Sequence, residues 1–100
     1  MARFDVFPDP INSTSFLLDV QSDILATMET RVVVPLVPIK KYPYPMHRLN
    51  PVFQIDEHEY VMLTQFLSAV SGNVLKSPVS NLAKHADQIT AALDMLFQGF

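Results

Sequence analysis

One hundred residues make one domain, spanning 1–100, and folding hides only roughly two-thirds of the surface of so short a chain, which excludes a large enclosed pocket. Hydrophobic residues make up 49% of the chain and charged ones 17%, a balance that favours folding and leaves apolar surface over for a partner. The formal charge of −3, with no basic run longer than Lys40-Lys41, excludes an electrostatic footprint for nucleic acid, and the absence of cysteine excludes disulfides and zinc thiolates.

A cysteine-free chain fits a reducing cytoplasm. Met1-Ala2-Arg3-Phe4 runs into Asp5 and prolines rather than an apolar signal core, so no secretion is expected. No stretch approaches the roughly 18 apolar residues of a membrane span.

Phe4–Phe7 reads as a short strand stopped by Pro8-Asp9-Pro10. Phe16–Gln21 is a second strand. Thr30–Val37 is a third, carried by the β-branched run Val32-Val33-Val34, and Pro35 within it predicts an edge or a bulge. Pro38–Pro51 holds four prolines and reads as a long loop. Val52–Ile55 and Glu59–Leu63 form a hairpin around an acidic tip, Asp56-Glu57-His58. Ser71-Gly72-Asn73 and Ser77-Pro78 bracket a short strand at Val74-Leu75.

The period then changes. Leu82, Ala86, Ile89, Leu93, Leu96 and Phe100 recur at steps of four and three, which places them on one stripe of a helix beginning near Ser80 or Asn81, either of which can cap it. That stripe is expected to pack on the sheet, with Gly99 as a left-handed terminator. From Ile89 to Phe100 the only polar side chains are Thr90, Asp94 and Gln98, spaced by four on one ridge, with Ala91, Ala92, Met95 and Phe97 widening the apolar face. One small sheet cannot cover so much apolar surface, which predicts a dimer seam and a partner-binding end, with a plain intramolecular core as the alternative.

No residues assemble into a recognisable catalytic motif. His47, His58 and His85 are expected in a proline loop, an acidic turn and a helix start, none with a second histidine at ligand spacing, and each reads as a solvated side chain. Asp56-Glu57-His58-Glu59 lacks the alternating oxygen ligands and central glycine of a calcium loop and reads as a charged turn. With only Gly72 and Gly99 as glycines, no phosphate cradle exists. Asp19 and Asp23 offer either a carboxylate pair or, on the plainer reading, groups that satisfy backbone donors. No cofactor and no metal are expected.

Several segments resemble the CcdB toxins of bacterial toxin-antitoxin modules. They are Leu18-Asp19-Val20-Gln21-Ser22-Asp23-Ile24-Leu25, Arg31-Val32-Val33-Val34-Pro35-Leu36, Asn50-Pro51-Val52-Phe53-Gln54-Ile55, Met62-Leu63-Thr64 and the tail Phe97-Gln98-Gly99-Phe100, all in family order. The resemblance implies a mainly β fold, an SH3-like small antiparallel barrel with an extra small β-sheet and one C-terminal α-helix, paired as a homodimer. It implies no enzyme. The partners would be the A subunit of DNA gyrase, trapped with cleaved DNA, and a cognate CcdA-like antitoxin that brings the pair to DNA indirectly in autoregulation. Carried over by position, the gyrase-binding residues would be Ile24, Leu25, Asp94, Phe97, Gln98, Gly99 and Phe100, with Gln21, Leu96 and Phe100 at the dimer contact. Some members of that family carry Trp where this chain has Gln98, and Ile is more usual where it has Phe100.

Two alternatives compete. One is a CcdB-like dimer that still binds antitoxin but has weak or lost gyrase activity, motivated by Gln98. The other is a MazF-like endoribonuclease toxin, which needs cations beside the scissile phosphate, where this chain has only Arg3, Arg31 and Arg48 as arginines.

Overall fold

The computed structural model describes residues 1–100. Seven strands form one antiparallel sheet: β1 (Asp5–Pro8), β2 (Phe16–Asp19), β3 (Thr30–Pro38), β4 (Val52–Ile55), β5 (His58–Met62), β6 (Ser68–Ser71) and β7 (Ser80–Asn81). Their order is β4-β5-β3-β2-β1-β7, with β6 paired to the first half of β3. The sheet curls into a nearly closed barrel, and one helix, α1 (Ala86–Gln98), follows it. This is the small SH3-like barrel with a C-terminal helix that the resemblance implies; β6 and β5 fork from the two halves of β3 within the one sheet.

Strict alternation sends each strand's side chains to two different places. Val6, Leu18, Val34 and Leu36 point into the main core with Phe53, Ile55, Met62, Leu82, Ile89 and Ala92. Their neighbours Phe7, Leu17 and Val33 point the other way and form a second cluster with Leu75. Because β3 is covered on both faces, its sequence is a continuous apolar run rather than an alternating one. Pro35 is central rather than at an edge, because β3 pairs with β2 on one side and with β6 and β5 on the other. Its carbonyl accepts the Leu63 N–H (2.9 Å), and the N–H it lacks would point to the same side, where β6 pairing has ended at Val33 and β5 pairing has not begun until Leu36. The missing donor falls in that gap.

Several boundaries differ from expectation. β1 starts one residue later than expected, because Phe4 takes a positive φ (72°). β2 ends at Asp19, two residues early. Pro38 belongs to β3 and pairs with Tyr60, and the following loop opens with a 3-10 turn, Ile39–Lys41. The hairpin tip is two residues, Asp56 and Glu57, both at positive φ (50° and 71°), with Ile55 opposite His58, the geometry of a type I′ turn.

The strand expected at Val74-Leu75 is absent: Gly72–Val74 is a 3-10 turn, and Leu75 leaves it as a buried plug in the second cluster. The strand here is Ser68–Ser71, a four-residue Ser-Ala-Val-Ser segment too short to signal a strand by itself, whose backbone completes the ladder beside Thr30–Val33.

The helix begins at Ala86, not at Ser80 or Asn81, which pair with β1 instead. Asn81 does not cap the helix: it stands one residue before Leu82, the N-cap of a short 3-10 turn over Ala83–His85, and its Oδ1 accepts the Ala83 N–H at 2.8 Å. The apolar stripe packs on the core through Leu82, Ala86, Ile89 and Leu93. It does not pack along its whole length, since Phe100 is 71% exposed. No helix is long and apolar enough to cross a membrane.

Candidate functional site

The chain leaves β2 through a buried polar cluster. Asp19 and Arg31 are both enclosed, and the guanidinium donates from Nε (3.0 Å) and Nη2 (2.6 Å) to Asp19 Oδ2. Asp19 Oδ1 accepts the Gln21 N–H at 3.0 Å. Burial pushes the Asp19 carboxyl up from its ordinary range, against the pull of Arg31 and of that N–H. Asp23 faces elsewhere and accepts the Arg3 N–H (2.8 Å), so the two aspartates satisfy donors and form no carboxylate pair. The Asp19–Arg31 pairing is not legible in the sequence by itself; its signal is visible only with the register, where Asp19 opposes Val33 and Arg31 lies two residues along the same face.

Next comes the turn that carries Ile24 and Leu25. Ser22 Oγ accepts the Ile24 N–H (3.3 Å), and backbone bonds from Leu25 to Ser22 and from Ala26 to Asp23 close a 3-10 turn over Asp23–Leu25. None of its residues is buried. Ile24 is 90% exposed and Leu25 and Met28 about half exposed. Gln21 is enclosed beneath the turn, with its Nε2 donating to the Leu25 carbonyl and its Oε1 accepting the Val32 N–H, each at 3.0 Å.

The far end of the chain meets this turn. Leu25 and Met28 on one side and Leu93 and Phe97 of α1 on the other line one mostly apolar groove of about 450 Å³, floored by Val20, Gln21, Ser22, Thr30, Val32 and Leu67. Three of the expected site residues, Gln21, Leu25 and Phe97, therefore line the same groove. Ile24, Asp94, Leu96, Gln98, Gly99 and Phe100 lie outside the groove: Asp94 and Leu96 are half-buried on α1, and Phe97 to Phe100 are all exposed. The sequence does not single out Met28, Thr30, Val32, Leu67 or Leu93 as lining a site. Met28 has a usable signal, an apolar side chain in a polar turn.

The helix end is shaped by Gly99. It takes a left-handed conformation (φ 81°), and its N–H bonds to the Met95 carbonyl at 3.1 Å, closing the helix and turning Phe100 aside. A methyl group there would meet no atom within 4 Å, so only the backbone resists substitution. Gly99→Ala is expected to lower stability by about 1 kcal/mol and Gly99→Asn by less, since Asn tolerates this region; urea unfolding of the two variants checks the ranking. Asp94, in the last turns of α1 with no basic residue in the last turn, opposes the helix dipole. Nothing within the chain compensates it by an ion pair, Asp19–Arg31 being the one pair formed.

A second recess, about 510 Å³, lies between the proline loop and α1 and is lined by His47, Arg48, Asn50 and Gln88 among others. It holds none of the expected site residues. Of the other histidines, His85 packs against the Phe53 ring (5.0 Å between centroids) and His58 sits at the hairpin. No three His, Asp or Glu side chains come together at metal-ligand spacing. Such an arrangement can bind: it presents apolar side chains on two converging supports with a ridge of polar groups beside them.

Comparison with known families agrees with this geometry. The family described as CcdB protein matches residues 3–99, a span running from the residue before the buried Phe4 to the glycine that ends the helix. The chain belongs to the CcdB family.

Proposed function

We propose that this protein is the toxin of a type II toxin-antitoxin pair, acting by binding the A subunit of DNA gyrase and trapping the enzyme on cleaved DNA. It works as a binder rather than an enzyme, and a CcdA-like antitoxin neutralises it. The observation that carries this reading is the convergence of the Asp23–Leu25 turn and the end of α1, which leaves Ile24, Leu25, Phe97 and Phe100 exposed at 90%, 45%, 68% and 71%. A contiguous group of exposed apolar side chains of this kind marks a surface for a partner to cover. Asp94 and Gln98 supply the polar rim, and the uncompensated charge of Asp94 suits a cation on the target.

Two copies pair about a two-fold axis, with Gln21, Leu96 and Phe100 at or near the contact. A symmetric toxin offers its tail twice to a symmetric target, so one interface serves two times. The protein acts in the cytoplasm, and meets DNA only through its antitoxin complex.

Inducing the chain in bacteria is expected to arrest growth, and deleting Gly99 and Phe100 is expected to abolish the arrest while the barrel stays folded, as judged by circular dichroism. Undiminished arrest after the deletion would count against the reading. A weakened relative that binds antitoxin but not gyrase is favoured by one feature, the exposed amide of Gln98 where some relatives carry an indole; nanomolar binding to the gyrase core would remove it. An RNA-cleaving role has less support, because Arg31 is enclosed against Asp19 and Arg3 lies over the Phe4 ring; site-specific cleavage of RNA by the purified protein would restore it.

A further inference from the structure

In an antiparallel ladder two opposed residues of the hydrogen-bonded kind exchange two bonds. Continuing the register in which Asp19 faces Val33 sets Val20 against Val32. Only half of that exchange is made: the Val20 N–H bonds to the Val32 carbonyl at 3.0 Å. The other half is taken over by a side chain, because the Val32 N–H goes to Gln21 Oε1, while the Val20 carbonyl accepts Arg3 Nε at 3.2 Å. The carboxamide of Gln21 thus stands where main chain would otherwise be, and β2 can leave the sheet two residues early without orphaning a donor of β3.

The opposite end of the same amide holds the turn after β2. Gln21 Nε2 donates to the carbonyl of Leu25, the last residue of a turn that buries no side chain of its own. Such a turn has little packing to fix it, and its short backbone bonds are exposed to competition from water. Outside those bonds and the local acceptance of the Ile24 N–H by Ser22 Oγ, two clamps tie it to the rest of the chain, this one and the Arg3 N–H to Asp23. Gln21 itself is held from behind, since its N–H is bound by Asp19, which is gripped in turn by Arg31. From this we propose that Gln21 is a positioning residue, a strut between the body of β3 and the turn, which fixes the shape in which Ile24 and Leu25 are offered to the partner.

The assignment rests on the reading of Ile24 and Leu25 as partner contacts, and its test separates the two. In Gln21→Glu the side chain still accepts from Val32 but no longer donates to Leu25 at neutral pH; in Gln21→Met both ends are lost at similar length. Hydrogen exchange on the full chain at neutral pH is expected to show the Ala26 and Met28 amides at least about tenfold faster in Gln21→Glu, with Val32 and the β3–β5 ladder still protected; in Gln21→Met the Val32 amide is exposed as well. Affinity of Gln21→Glu for the gyrase A core is expected to fall about tenfold. Unchanged turn exchange, or faster exchange with unaltered affinity, overturns the proposal, as does loss of protection throughout the ladder in Gln21→Glu, which would make the residue part of the fold alone. If the unmodified protein binds no gyrase core, the gyrase reading falls, and the exchange comparison still decides whether Gln21 holds the turn.

Discussion

Phe97→Ala is expected to weaken binding to the gyrase A core by roughly 30-fold or more, equivalent to about 2 kcal/mol, and to leave unfolding almost unchanged. The reason lies in where the ring sits: it is 68% exposed and contributes a wall of the groove rather than a part of either core cluster. A core phenylalanine of the same size, such as the enclosed Phe53, would cost about 3 to 5 kcal/mol of stability on truncation. Calorimetric titration and urea unfolding on the same preparation read the two quantities separately. Leu25→Ala, on the facing wall, is expected to weaken binding less, and the double variant to lose less than the two single losses combined, because both residues bound one groove. A fall in stability with binding intact would place Phe97 in the fold rather than in the interface.

Arg31→Leu is expected to destabilise the chain by about 3 to 5 kcal/mol, the cost of leaving a buried charge without its partner. For a domain whose total stability is of the order of 5 to 15 kcal/mol, that approaches the limit of folding. Both ends of the pair are enclosed, at 2% and 0% side-chain exposure, and the acid also holds the Gln21 N–H. Replacing both residues with leucine is expected to recover a large part of the loss, since the penalty comes from the orphaned carboxylate more than from the absence of attraction.

The pH dependence of the single variant has a defined sign. With the guanidinium present, burial already pushes the Asp19 carboxyl above its ordinary 3.8; without it the chief opposing influence disappears. A folded state that holds its proton more tightly than the unfolded state is stabilised below the unfolded pKa and loses that stability as pH rises through the folded one. The deficit of Arg31→Leu relative to the unmodified chain is therefore expected to be smaller near pH 4 than at pH 7. Denaturant unfolding at both values measures it, and a deficit independent of pH would mean that Asp19 is not the group left stranded.

Much of this fold could be read from local pattern. The β-branched run from Thr30 and the alternation around Asp56-Glu57 are strand signals because pleated backbone accommodates branching and two faces, and β3, β4 and β5 stand where they point. The four-three spacing from Leu82 through Leu93 marks the face of α1 that meets the core. Failures fall where a neighbour outweighs local preference. Ser68–Ser71 is a strand because Thr30–Val33 leaves an open ladder beside it, and Ser80-Asn81 is drawn away from the helix by pairing with Asp5 and Val6. In both cases hydrogen bonds to a distant segment decide a stretch whose own propensity is weak.

The site divides in the same way. Composition and period alone established an apolar-rich domain without cysteine and the apolar breadth of the last helix, since these depend only on which side chains follow one another; the family came from segments matched along residues 3–99. Tertiary structure alone decided which of those apolar groups stay outside: Leu93 lies against the core while Phe97, one turn on, does not. It also decided that a turn after β2 comes to face the end of the chain, and that Gln21 and Asp19 lie beneath that turn. Burial and contact are relations between segments remote in sequence, and they acquire values only when the strands are in register.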